Sequence, residues 1–156
     1  MNAKLLSSLS ESVIQVLSQF GIQDFKKGRM ATYDKRVTTE YVTVLVGITH
    51  GLRGNIAYSM CQKTACNIAS RMMMGMPVEE LDEMSQSAIT EMANMITGHA
   101  ATLYADGDHT VDIAPPNLML GENVSMRFST GRIVLIEMIS EVGSINLFIG
   151  LEEKAA

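Results

Sequence analysis

Apolar residues recur at intervals of three and four in two long stretches of this chain, as they do on amphipathic helices. In the first stretch, residues 3–20, the apolar face consists of Leu6, Leu9, Val13, Leu17 and Phe20. Gly21 follows it as a stop signal. The second stretch, residues 78–103, follows Pro77 and has several carboxylates in its first turn, as helix starts commonly do. We therefore predict two long helices, with a shorter helix between them that is capped by Thr64 and stopped by Gly75.

The remaining apolar segments predict β-strands, the first because it is rich in β-branched residues and those after residue 108 because their periodicity changes to two. These segments are residues 41–49, 55–60, 109–113, 124–129, 132–139 and 144–151. Residues 51–54 supply a hairpin turn between the first two, and Gly131 and Gly143 mark the later turns. In the last strand every second residue is aliphatic, so that face should be buried beneath the helices. The predicted fold class is α+β, with the long N-terminal helix and the 78–103 helix packed on a largely antiparallel β-sheet.

Residues 23–39 lack either period and contain five basic side chains. These are Lys26, Lys27, Arg29, Lys35 and Arg36. A solvated loop or an edge strand is the favoured interpretation, because lysine and arginine protect exposed strand edges from mispairing. A phosphate-facing patch is the less favoured alternative.

The 78–103 helix carries a narrow polar stripe opposite its apolar face. At roughly 100° per residue, Ser87, Asn94 and Gly98 fall within about 60° of Glu91. The opposite arc holds Ile89, Met92, Ala93, Ile96, Ala100 and Leu103. A glycine inside a helix costs about 1 kcal/mol relative to alanine, so the close approach of another backbone would explain Gly98. The alternative is that the polar residues are merely solvated and that Gly98 fits against a neighbouring strand.

Composition limits the classes of function that the chain can have. With 156 residues it predicts one domain, residues 1–156. Its net charge of −5 disfavours a nucleic-acid partner. No segment resembles a signal peptide or approaches about 18 uninterrupted apolar residues, so we expect no membrane association and a cytoplasmic location. The two cysteines and three histidines lack metal-ligand spacing, so no metal site is expected, and both cysteines should be buried as small apolar residues.

The motifs together resemble the chemotaxis phosphatase family of CheX and CheC. They are Ser87-x-x-x-Glu91-x-x-Asn94, its extension to Gly98 and Ala100, the hairpin of residues 46–54, and a double proline about twenty residues downstream of Asn94. Either Pro115 or Pro116 matches the proline of the family, which we leave outside the catalytic set. CheC-type members carry the Glu-x-x-Asn motif twice. Here the first helix has Glu11 but no matching asparagine, so the chain is closer to CheX, with one site.

The resemblance implies an enzyme that hydrolyses the aspartyl phosphate of a phosphorylated CheY-like receiver domain. In that role Asn94 would position the attacking water, Glu91 would contact the active-site lysine of the receiver, and Ser87 and Gly98 would let the receiver surface come close. No cofactor of the chain's own is implied, since Mg2+ is expected on the receiver. The family also implies a possible homodimer, which strands with two apolar faces, such as residues 132–139, favour as well. The alternative function is a non-catalytic binding module in chemotaxis or flagellar switch signalling.

Overall fold

The computed structural model describes residues 3–105 and 110–153, and in this part of the chain helices pack on one antiparallel sheet. The elements are α1 (Ala3–Ser18), β1 (Lys26–Thr38), β2 (Val42–His50), β3 (Leu52–Met60), α2 (Gln62–Met72), α3 (Glu83–Tyr104), β4 (Asp112–Ile113), β5 (Asn117–Leu120), β6 (Ser125–Ser140) and β7 (Gly143–Glu153). The strand order is β1-β6-β7-β3-β2-β4, with β5 also paired to β2, and every pairing is antiparallel. The predicted α+β class is confirmed.

The three predicted helices exist, but their boundaries differ from the prediction. Helix α1 ends at Ser18, and Gly21 takes a φ of +83° just beyond it. Helix α2 begins at Gln62, so Thr64 is not its cap but a buried residue of its first turn. Helix α3 begins at Glu83 rather than at residue 78, because the carboxylate of Asp82 accepts the backbone N–H of Ser85 and caps the helix there.

The strands depart from the predicted pattern at two glycines. Strand β3 begins at Leu52, so Gly54 lies within the strand and not in a turn. A Cβ on Gly54 would collide with the carbonyl oxygen of Gly150 on β7, which explains the glycine. Gly131 does not end a strand either, because β6 continues through it from Ser125 to Ser140. Strand β6 pairs with β1 both before and after Gly131, with a shift of register between the two stretches. The predicted strands 124–129 and 132–139 are therefore one strand.

Strand β1 lies at one end of the sheet, so most of residues 23–39 form an edge strand and not a loop. Its basic side chains Lys26, Lys27, Arg29, Lys35 and Arg36 are all exposed. Strand β2 lies near the other edge, where β4 and β5 pair with it in succession and Pro115 and Pro116 separate them. A proline cannot donate to a ladder, which explains the break. Strand β5 was not predicted, and His109 lies outside the described residues.

Both faces of the central strands are covered within the chain. The main core joins all three helices to one face of the sheet, where Val134, Ile136 and Met138 of β6 are buried. The opposite face carries an outer cluster of buried residues, which consists of Val37, Ala57, Phe128, Ile133, Leu135 and Phe148. The apolar pattern of residues 132–139 therefore has an explanation inside one copy, and the homodimer prediction rests on the family resemblance alone.

Methionine and cysteine side chains are divided between core and surface. Met60, Met92 and Met138 are fully buried, whereas Met74 and Met84 are exposed, so methionine serves here both as core filling and as surface. Cys66 is buried as expected, but Cys61 is exposed, and that part of the prediction is wrong. In the described part of the chain no helix is long and apolar enough to cross a membrane.

Candidate functional site

Helix α3 presents the candidate residues because its other side is anchored in the core. Ile89, Met92, Ala93, Ile96 and Ala100 are between 0% and 2% exposed. Leu103, which was predicted on this face, is 39% exposed. Tyr104 is buried in its place. The apolar arc thus holds the rotation of α3 fixed over most of its length, and with it the direction of the opposite face.

The polar stripe lies on that opposite face. Ser87 and Glu91 are exposed, and Asn94 and Gly98 are half-buried. The helix is continuous from Glu83 to Tyr104, so Glu91 and Asn94 are separated by about 4.5 Å along its axis. Within the described residues, neither Glu91 nor Asn94 makes a side-chain hydrogen bond or ion pair. The structure brings the four predicted residues onto one accessible face and leaves the acid and the amide available to a partner.

A buried hydrogen-bond chain fixes α3 against the sheet directly behind this pair. The hydroxyl of Thr97 lies 2.7 Å from the carbonyl oxygen of Ala93 and 2.7 Å from the hydroxyl of Tyr58 on β3. The carbonyl can only accept, so Thr97 donates to Ala93 and accepts from Tyr58. Burial raises the pKa of Tyr58, which keeps the phenol protonated as that donor.

A second polar link joins α3 to α1 through His99. Ser12 donates its hydroxyl to the carbonyl of Ser8 at 2.7 Å. Its oxygen also lies 2.9 Å from Nδ1 of His99. Because the single hydroxyl proton of Ser12 is already used, Nδ1 of His99 carries a proton and donates to Ser12. Sequence analysis missed both links; the signal for the first was Thr97, a polar residue within the apolar arc.

Gly98 borders open space and not another segment of the chain. An ideal Cβ at this position would meet no atom within 4 Å among the described residues. Beyond it a groove of about 610 Å³ runs between α3 and the segment around β4, lined by Gly98, Ala101, Thr102, Val111, Asp112 and Ile113. The interpretation that Gly98 fits against a neighbouring strand is therefore wrong. No segment of the described chain comes close to Gly98.

The N-terminal end of α3 is acidic and firmly capped. Backbone and side-chain hydrogen bonds from Ser85 hold the pKa of Asp82 below its usual range. Within the described residues, no group of three or more histidine, cysteine or acidic side chains could hold a metal ion. The stripe also contains no cysteine, histidine or lysine that could serve as a strong nucleophile. The stripe offers one carboxylate, one amide and the hydroxyl of Ser87 at the surface of α3.

A family model and a curated relative identify the same family for this chain. The model of the family described as chemotaxis phosphatase CheX matches residues 42–138. The CheY-P phosphatase CheX of Thermotoga maritima is 32% identical over 128 residues, which cover 81% of this chain and 82% of that protein.

Solved structures from other organisms share this fold. A CheC-like superfamily protein from Shewanella sp. PV-4 superposes with a TM-score of 0.86 at 23% identity, covering 97% of this chain and 99% of that one. A CheX–CheY–BeF3–Mg2+ complex from Borrelia burgdorferi gives a TM-score of 0.73 at 22% identity, covering 96% of each chain.

Proposed function

The chain belongs to the family of the chemotaxis phosphatase CheX, and we propose that Glu91 and Asn94 are the residues with which it dephosphorylates a CheY-like receiver domain. The substrate is the aspartyl phosphate of the receiver, and the products are the free aspartate and inorganic phosphate. The observation that carries this assignment is the position of the two side chains one turn apart on α3, Glu91 exposed and Asn94 half-buried, neither with a hydrogen-bond or ion-pair partner in the described part of the chain. We also propose that residues 1–156 act as one cytoplasmic domain with this single site.

The chemistry needs no nucleophile from the chain. An acyl phosphate is already activated, so hydrolysis requires a water held in line with the phosphorus while positive groups neutralise the transferring phosphoryl oxygens. The lysine and Mg2+ that neutralise this charge would belong to the receiver. The Borrelia complex contains Mg2+ and BeF3 together with CheY, in agreement with a metal that enters with the partner.

Asn94 has the chemical groups that water positioning requires. Its amide oxygen accepts a hydrogen bond from the attacking water, and its amide nitrogen donates to a phosphoryl oxygen. Both hydrogen bonds are available because the side chain has no partner within the described residues. The core behind it, with Ala93 fully buried and Thr97 bonded to Tyr58, holds the backbone of Asn94 still while water is placed.

Glu91 has a different task. One turn before Asn94 and exposed, its carboxylate would bind the active-site lysine of the receiver, a charge-assisted contact formed as the two proteins dock. Ser87 and Gly98 flank the pair and carry little bulk, so the receiver surface can come close. Glu91 thus contributes to binding and to register, whereas Asn94 contributes to the chemical step.

The test separates these two tasks by measuring turnover and binding for each variant. Asn94→Ala should lower the single-turnover rate of phosphate loss by about 10²–10³ and leave the affinity for a BeF3-activated receiver unchanged. Glu91→Ala should weaken that affinity as well as turnover. Glu122→Ala, which removes an exposed carboxylate from the turn between β5 and β6, is the matched control and should behave as the wild type. Full activity in Asn94→Ala would refute the water-positioning role.

A further inference from the structure

Helix α3 carries an exposed apolar side chain on the same face as the polar stripe. Met84 precedes Glu91 by two helical turns and lies within roughly 20° of it around the axis. It is 62% exposed, although the neighbouring helix positions that face the sheet are fully buried. The face of α3 that carries the polar stripe therefore also presents, nearer its N-terminus, the large and flexible apolar side chain of Met84.

We propose that Met84 is an apolar anchor of the receiver-docking surface, covered by the receiver when Glu91 and Asn94 enter its active site. This inference rests on the proposed function. It adds a residue that binds the substrate protein and makes no contact with the reacting atoms. The occupant is the receiver itself, at an apolar patch on the rim of its phosphorylated site.

The dimensions of the contact support this assignment. Met84 and Glu91 are separated by about 10 Å along α3. A protein–protein contact of ordinary size covers about 800 Å² on each partner, which is a patch of roughly 16 Å radius. A contact of that size centred on the Glu91 and Asn94 pair includes Met84. It does not reach Met30, which lies on β1 at the opposite end of the sheet from the strand that α3 contacts.

The surroundings of Met84 suit a binding role. The N-cap Asp82 and Glu83 of the first turn immediately precede it, so the apolar side chain lies next to charged groups, as apolar contact residues lie next to a polar rim in protein interfaces. Methionine adapts its shape to an apolar partner surface through three rotatable bonds. The residue also has no structural task inside the chain, because most of its side chain is in solvent.

The experiment compares Met84→Gln with Met30→Gln, a matched control that changes a 48% exposed methionine remote from α3. Met84→Gln should raise the KM for the phosphorylated receiver by roughly 5- to 25-fold and leave kcat unchanged. This is the loss of affinity expected when one buried methionine side chain is replaced by a polar one. The increase should be the same at low and high salt, since it does not depend on charge, and Met84→Leu should restore most of the affinity. Met30→Gln should match the wild type.

Three outcomes would overturn the proposal. One is a KM for Met84→Gln equal to that of Met30→Gln while the wild type is active and Asn94→Ala is not, which refutes the anchor and keeps the proposed function. Another is a fall in kcat without a change in KM. The third is a change in mass by light scattering for Met84→Gln, which would place Met84 between two copies of the chain. An inactive wild type would instead refute the proposed function, on which the anchor depends.

Discussion

Substitutions of Gly98 should have opposite effects on stability and on dephosphorylation, because a larger side chain favours helix α3 but keeps the receiver surface away from it. Alanine in a helix interior is about 1 kcal/mol more favourable than glycine, and a Cβ here meets open space within the described chain. Gly98→Ala should therefore raise the free energy of unfolding by about 0.5–1 kcal/mol, which for a chain of this length raises Tm by about 1–4 °C. Leucine has nearly the same helix propensity as alanine, so Gly98→Leu should gain a similar amount.

Function should move in the opposite direction as bulk increases. If the receiver surface lies directly on Gly98, the methyl group of Gly98→Ala displaces the receiver slightly. The isobutyl group of Gly98→Leu displaces the receiver by several ångströms. A displacement of about 1 Å can cost 10²-fold in a positioned reaction, so Gly98→Leu should lose at least that much in kcat/KM, and Gly98→Ala much less. Thermal melts and dephosphorylation kinetics on the same samples test both parts. A Gly98→Leu variant that is stabilised and fully active would refute the close approach.

Three further predictions follow from the core, the sheet and the assembly. Tyr58→Phe removes the donor to Thr97 and should lower the free energy of unfolding by about 1 kcal/mol, measured by urea denaturation. Burial and the neighbouring Glu137 raise the pKa of Glu40, so its ionised form destabilises the folded state at neutral pH. Glu40→Gln should melt higher than the wild type at pH 7, and the difference should shrink as the pH falls through the raised pKa; an equal difference at every pH would contradict this. Light scattering at micromolar concentration should show a dimer, and a mass of 17.0 kDa would refute it.

The parts of the fold that sequence analysis predicted are those with long, regular periodicity. The apolar repeats of α1 and α3 and the alternation in β7 each repeat several times, so helix, strand and buried face could be assigned from them. The stripe on α3 followed from the same repeat, because a helix with one buried face has one exposed face.

The failures occurred where one residue type has two structural uses. Gly54 and Gly131 were assigned to turns, but Gly54 makes room for the backbone of β7, and Gly131 sits at an irregularity within a continuous strand. Asp82 and Pro77 are both signals for the start of a helix, and only the cap geometry decides between them. The Tyr58 to Thr97 hydrogen bond joins residues 39 positions apart, a pairing that local sequence does not encode.

The most direct test of the proposed activity is the lifetime of a phosphorylated receiver in the presence of the wild-type chain. Each candidate receiver from the same cell is phosphorylated on its aspartate with labelled phosphate. Release of that phosphate is then followed for the receiver alone, with the wild-type chain and with Asn94→Ala. The wild type should shorten the lifetime of one phosphorylated receiver, and Asn94→Ala should bind that receiver without shortening its lifetime. A wild type that binds its physiological receiver but leaves the lifetime unchanged would refute the phosphatase activity and establish a binding module.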